Sequence, residues 1–249
     1  MLKAYKYRLY PTLSQVEFFE KTFASVSLVH NLLLQDRIMQ YKAAKKDPDL
    51  HLKAPTPAKY KEKYPFLKEV DSLALANAQV YLERALKYYY TDKNVGFPRL
   101  KSRKNPVTSY TTNNQGGTIK LVHLNCLKIP KLKTLVKVRV HRRIEGRIKS
   151  ATISRAASGK YFVSLLCEEE ISSNQKTGRA VGISLGESGF AVLSNGQRID
   201  NDQLTEEMER KIRREEKKLA RKKQLASAKG LDLLNQKNYQ KQKMKVAKL

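Results

Sequence analysis

The chain has 249 residues, 41% of them hydrophobic, which is long enough for one large domain or two modest ones and too apolar for a disordered segment. Fifty Lys and Arg stand against 23 Asp and Glu, a net charge of +27 that repels itself in the folded state and points to a polyanionic partner. Nucleic acid is favoured over a membrane surface, because no run approaches the ~18 consecutive apolar residues of a spanning helix and MLKAYKYRLYP is no signal peptide.

Residues 2–10, LKAYKYRLY, alternate as a strand, with Tyr5, Tyr7 and Leu9 on one face and Lys6 and Arg8 on the other. Pro11 ends it. Ser14 and Glu17 then have the spacing of a capping box, and Val16, Phe19, Phe23 and Val26 recur at helical intervals. A mostly helical region is expected to about residue 90, interrupted by the proline-rich loop KDPDLHLKAPTPAKY. Its strongest helix is 72–90, with Leu75, Ala78, Leu82, Ala85, Leu86 and Tyr89 in an apolar stripe and Ser72, Ala76, Asn77, Arg84 and Lys87 off it.

From about residue 106 the period changes to two. In VKVRVHRRI (136–144), Val136, Val138, Val140 and Ile144 are expected inward, with Arg142 on their side. Lys137, Arg139, His141 and Arg143 are expected outward. Glu145-Gly146 turns into RIKSATISRA, and Ala-Ser-Gly-Lys turns again into YFVSLLCEEE, which predicts an antiparallel meander with a basic outer face. Residues 172–180 read as a linker. VGISLGESGFAVLSNG (181–196) reads as two short strands around a glycine turn, 203–228 as a basic helix, and the rest as a basic segment to Leu249.

No catalytic constellation is legible. The acids are scattered beside Lys or Arg at helical spacing, where surface pairing explains them, and those from Asp200 to Glu209 suit a helix N-terminus. Cys126 and Cys167 stand alone, without the CxxC or Cys/His spacing of a zinc site, and fit a reducing cytoplasm. Neither a P-loop nor a dinucleotide fingerprint is present. Alternating basic residues, 13 tyrosines and the polar run SYTTNNQGG instead describe a binder of RNA or DNA, neutralising phosphates and stacking on unpaired bases.

Several segments in register resemble the TnpB family of transposon-encoded RNA-guided nucleases: LKAYKYRLYPT, KTFASVSLVHN, FLKEVDSLALANA with YLERALKYYY, VGFPRLKSRK, SYTTNN, IPKL and VGISLGESGFAVLSNG. The resemblance implies an α+β, multidomain fold. A wedge β-barrel (1–10 and 106–172) would carry an inserted helical recognition domain (11–105), followed by a truncated RuvC-type, RNase H-like domain (178–249). It also implies that Ser72, Leu73, Ala76, Asn77, Thr112, Asn113 and Asn114 read a short target-adjacent duplex motif. Amides suit adenine edges and apolar groups a thymine methyl, so an A/T-rich motif is expected. Lys6, Arg8, Arg139, Arg143 and Arg155 would grip a guide RNA or its heteroduplex through phosphates, with sequence left to base pairing.

One departure shapes the functional expectation. Family members that cut carry G-[IV]-D-[LV]-G where this chain has Gly182-Ile183-Ser184-Leu185-Gly186, and a serine brings no charge to a magnesium site. The family's remaining catalytic carboxylates and zinc ribbon would lie beyond Leu249. The sequence thus predicts no catalytic residue, no metal and no nuclease activity, Ser184 being vestigial, as in the TnpB-like nuclease-dead repressors. The expected component is a guide RNA, the expected target double-stranded DNA at a promoter, and no membrane is involved. The competing expectation is a truncated or decayed transposon protein that binds its element's RNA without host regulation. An incomplete RuvC sheet predicts exposed apolar side chains.

Overall fold

A computed structural model of the chain describes residues 1–47, 54–103, 105–123, 125–170, 178, 180–186, 189–200 and 204–249. It forms two compact units, Met1–Glu170 and Ile171–Leu249.

The first unit mixes helix and sheet. Strand β1 (Leu2–Tyr10) buries Tyr5, Tyr7 and Leu9 on one face, as the alternation predicts. Helix α1 (Leu13–Lys46) starts earlier than Ser14 and Glu17 suggest. Its capping box is Thr12 and Gln15: the Thr12 hydroxyl accepts the Gln15 N–H, and the Gln15 side chain accepts the Thr12 N–H at 3.0 Å. The buried Gln15 amide also donates to Thr134 Oγ1 and to the Leu135 carbonyl, a tertiary tie that the local pattern does not contain. Phe19, Phe23, Val26, Val29, Leu33 and Leu34 form the buried stripe of α1. Single turns of 3-10 helix at Pro57–Lys59 and Pro65–Lys68 flank the short α2 (Tyr60–Lys63). Part of the expected proline-rich loop lies outside the described residues. Helix α3 (Ser72–Thr91) is capped by Asp71, whose carboxylate accepts the Leu73 N–H at 3.2 Å. Leu75, Ala78, Leu82 and Leu86 are buried as expected, but Tyr89 is exposed because it lies past the end of the core.

The sheet adds β2 (Ser109–Asn113), β3 (Lys120–Val122), β4 (Cys126–Lys128), β5 (Val136–Arg139), β6 (Arg147–Arg155) and β7 (Tyr161–Glu168). It is a curled seven-stranded sheet in the order β2-β6-β7-β1-β5-β4-β3, and its strand pairs are antiparallel. The β6–β7 hairpin is the expected one. The single meander from 136 onward is not formed, because β1 lies between β7 and β5 and β5 pairs with β1 and β4. The strand expected over 136–144 ends at Arg139. Arg142 is consequently exposed, not inward, and its carbonyl accepts the Tyr7 hydroxyl at 2.5 Å.

The helices between β1 and β2 share the sheet's core. Phe19 lies 5.7 Å from the Tyr161 ring and Phe23 lies 5.8 Å from that of Tyr110, within one cluster that also holds Leu75, Ile153, Val163 and Leu165. Each fully buried side chain of this kind stabilises by about 1.5–3 kcal/mol. Glu169 fastens the N-terminus: its carbonyl accepts the terminal ammonium at 2.7 Å, and its buried carboxylate accepts Tyr5 Oη and Lys3 Nζ. The Tyr5 hydrogen bond foremost holds the Glu169 carboxyl below its usual range.

In the second unit, β8 (Ile183–Gly186), β9 (Gly189–Leu193) and β10 (Arg198–Ile199) make an antiparallel sheet in the order β10-β9-β8. The two strands read around the glycine turn are β8 and β9. Helix α4 (Leu204–Ala228) matches the basic helix, and a further helix, α5 (Lys237–Val246), occupies what composition left as a basic segment. Glu215 is buried between them and accepts Lys218 Nζ and Gln242 Nε2 at 2.8 Å and Lys245 Nζ at 3.1 Å. These contacts, led by Lys218, pull its carboxyl down to about 2.

Candidate nucleic-acid interface

Because side chains alternate across a strand, burying Tyr5, Tyr7 and Leu9 forces Lys6, Arg8 and Tyr10 onto the opposite face of the sheet. The same rule on β5 buries Val136 and Val138 and turns out Lys137 and Arg139. The register then decides which of these meet: Arg8 stands directly opposite Arg139, and Tyr10 opposite Lys137. Like charges facing each other across an antiparallel pair are destabilising, so this placement favours an anion between them. Among the described residues no carboxylate pairs with Lys6, Arg8, Lys137 or Arg139. Aromatic rings support two of the cations: Lys6 Nζ lies 5.1 Å from the Phe162 ring centroid, and Arg8 Cζ lies 4.8 Å from that of Tyr10.

The other two predicted phosphate-binding residues lie differently. Arg143 is exposed in the segment after β5, off the sheet. Arg155, at the end of β6, is engaged by Glu20 at 2.8 Å, a carboxylate that also accepts Tyr161 Oη at 2.6 Å. Burial foremost, then Glu20, pushes the Tyr161 phenol up to about 12.

The residues expected to read duplex DNA gather where α3 meets β2. Asn77 Nδ2 donates to the Thr111 carbonyl at 2.9 Å, and Tyr81 Oη donates to Thr111 Oγ1 at 2.9 Å. Ser72 and Ala76 are exposed on α3, Leu73 is half-buried, and Asn113 is exposed at the end of β2. Thr112 is fully buried, and its hydroxyl donates to the Asp71 carboxylate, so it ties strand to helix and offers no outward donor. Asn114 is also occupied: its amide donates to the Ile148 carbonyl and accepts the Ile119 N–H, both at 2.9 Å. Thr111, absent from the predicted set, is the outward-facing threonine and bonds Thr152 Oγ1 at 2.8 Å. The alternation of Ser109–Asn113, with Tyr110 inward, contains that signal. Tyr110 Oη is buried without a hydrogen-bond partner beside this junction, and burial pushes its phenol far above the usual range.

Ser184 lies exposed on β8, opposite Val192, just before a bulge. Ile183, Leu185 and Phe190 of this small sheet are more than half exposed. Among the described residues, no three His, Cys, Asp or Glu side chains come together as a metal site. No described helix is long and apolar enough to cross a membrane.

Comparison with known proteins bears on these surfaces. Residues 1–46 match the helix-turn-helix domain family of insertion-sequence OrfB proteins. In this chain the matched span folds as β1 followed by the single long helix α1. A Streptomyces pristinaespiralis protein named as an RNA-guided DNA endonuclease is 32% identical over 203 residues, covering 80% of this chain and 50% of its own length. The chain therefore spans half the length of that relative. This finding overturns the expectation that the chain is not an enzyme. The similarity extends over four-fifths of the chain to a protein named for cleavage, and Ser184 alone does not outweigh it. The two matches support the TnpB family, with RNA-guided action on DNA as the activity for which the relative is named.

Proposed function

We propose that this chain binds a guide RNA and, through it, double-stranded DNA beside a short motif. The observation that carries this reading is the basic outer face of β1 and β5, where no carboxylate pairs with the cations among the described residues and register sets Arg8 against Arg139 with Lys137 and Lys6 nearby. Phosphates relieve that repulsion, and the face is sequence-blind, as a surface holding RNA while base pairing reads DNA should be. The exposed groups at the α3–β2 junction, Ser72, Ala76 and Asn113, with the half-buried Thr111 between them, are the surface for the adjacent motif. The wedge β-barrel assignment for the sheet and the RuvC-type assignment for residues 178–249 belong to the same reading. Held at a promoter, such a complex would exclude RNA polymerase, and repression of transcription is the regulatory outcome we attach to occupancy.

The test is to sequence RNA that copurifies with the protein from cells carrying the native locus. One RNA species with a structured scaffold and a short segment matching a genomic site supports the proposal, and a match inside a promoter supports repression. Bulk ribosomal and transfer RNA would reduce the chain to a non-specific RNA binder.

A further inference from the structure

The outer face of β1 and β5 ends in a groove of about 620 Å³ lined by Tyr10, Asn125, Lys137, Val138, Arg139 and Val140. Its size falls within the roughly 300–1,000 Å³ of sites that enclose small molecules. Lys137 and Arg139 line it, and Arg8 stands opposite Arg139 next to the lining; no carboxylate pairs with these three cations among the described residues. Arg8 Nε is buried and makes no hydrogen bond, a donor left unsatisfied beside that cluster. Tyr10, also in the lining, stands opposite Lys137 and is 39% exposed, with its ring against the Arg8 guanidinium. Asn125 is exposed at the groove's edge. Its backbone carbonyl accepts the Val138 N–H at 2.8 Å, fixing its position, while its side-chain amide has no partner among the described residues.

We propose that this groove captures one unpaired nucleotide, with its phosphate on Arg8, Lys137 and Arg139, its base against the Tyr10 ring and its base edge within reach of the Asn125 amide. A phosphate alone would need only the cations, and a duplex would present no free base face to Tyr10. The combination of a cationic cluster, an aromatic ring and an idle amide within one groove is what a single-stranded nucleotide requires. Assigning the nucleotide to RNA rests on the function proposed above.

The experiment uses the full chain, stripped of bound RNA at high salt, and a short oligouridine RNA carrying one 2-aminopurine, whose fluorescence is quenched on stacking. Wild-type protein quenches the probe. Tyr10→Ala abolishes quenching and weakens binding about 5- to 150-fold, the loss expected from removing one base–aromatic stack. Tyr10→Phe preserves both, and circular dichroism verifies that each variant is folded. Quenching and affinity unchanged in Tyr10→Ala would overturn the proposal, as would equal Tyr10 sensitivity for a fully paired RNA of the same sequence. A deoxyribose probe that is quenched equally well would overturn the assignment to RNA while supporting the nucleotide site. The function proposed above fails separately: a unique guide copurifying with an unstacked probe refutes only the groove, and Tyr10-dependent stacking with only bulk cellular RNA refutes only the guide.

Discussion

Replacing Arg139 with Gln separates a binding surface from a structural one, because the two roles predict opposite signs. Arg139 faces Arg8 across β5 and β1, and no described carboxylate offsets the pair. Opposed like charges at such a position cost on the order of 0.2–1 kcal/mol, a cost absent from the unfolded chain. Arg139→Gln is therefore expected to stabilise the RNA-free protein at low salt. With a urea m-value of about 2 kcal/mol/M, the midpoint rises by about 0.1–0.5 M. Near ~1 M salt, where the screening length falls to about 3 Å, the gain disappears. The same substitution weakens binding to single-stranded RNA and lowers the slope of log K against log salt by about 0.7 for each phosphate that is no longer neutralised. Tyrosine fluorescence reads the relevant unit, since the chain has no Trp and every tyrosine except Tyr239 lies within Met1–Glu170. A lower urea midpoint at low salt together with an unchanged salt slope would refute the reasoning, because Arg139 would then be a satisfied structural residue.

Thr112→Val keeps the shape of the side chain but leaves the buried Asp71 carboxylate without that donor. It is expected to cost about 1.5–3 kcal/mol in urea unfolding while leaving the choice of DNA motif unaltered in a binding-site selection. Gly146→Ala would drive a Cβ into the Glu168 carbonyl and Glu169 Cγ, where backbone cannot yield. Overpacking of about 1–3 kcal/mol predicts a Tm lower by about 2–12 °C in calorimetry. Glu215 is charged in the folded α4–α5 hairpin down to a pH of about 2, below the ordinary glutamate value. Its contribution is therefore complete above about pH 4.5 and is lost as pH falls toward about 2. Hydrogen exchange in α5 should be faster in Glu215→Gln at pH 6, with the difference from wild type closing over that acid range. A difference independent of pH would point to packing instead of charge.

Much of the local structure is legible because it is periodic. Alternation places β1, β6 and β7 and assigns Tyr5, Tyr7 and Leu9 to the core, and the 3.6-residue stripe places Leu75, Ala78, Leu82 and Leu86. Alternation also puts Lys6 and Arg8 outward and Lys137 and Arg139 outward, as two unrelated pairs. It carries the information that Thr111, not Thr112, faces away from the core, but reading the Thr-Asn run as one block conceals it. The start of α1 is ambiguous in sequence because T-x-x-Q and S-x-x-E both fit a capping box. The choice of Thr12 accompanies the contact of Gln15 with Thr134 and Leu135, which are remote in the chain.

Composition and period thus determine on their own that the chain is a cationic α+β protein with a polar, basic sheet face, since charge and alternation are properties of neighbouring residues. Only the tertiary structure decides which cations meet. Strand order inserts β1 between β7 and β5, and register then sets Arg8 against Arg139 and Tyr10 against Lys137. Register is a long-range choice, fixed by the buried faces of both strands together, and a slip of one residue would turn the same side chains into the core. Likewise, Glu215 lies on the same line of α4 as Ile212, Leu219 and Ala226, which helical spacing shows, but its buried pairing with Gln242 and Lys245 of α5 is a partner choice that spacing does not name.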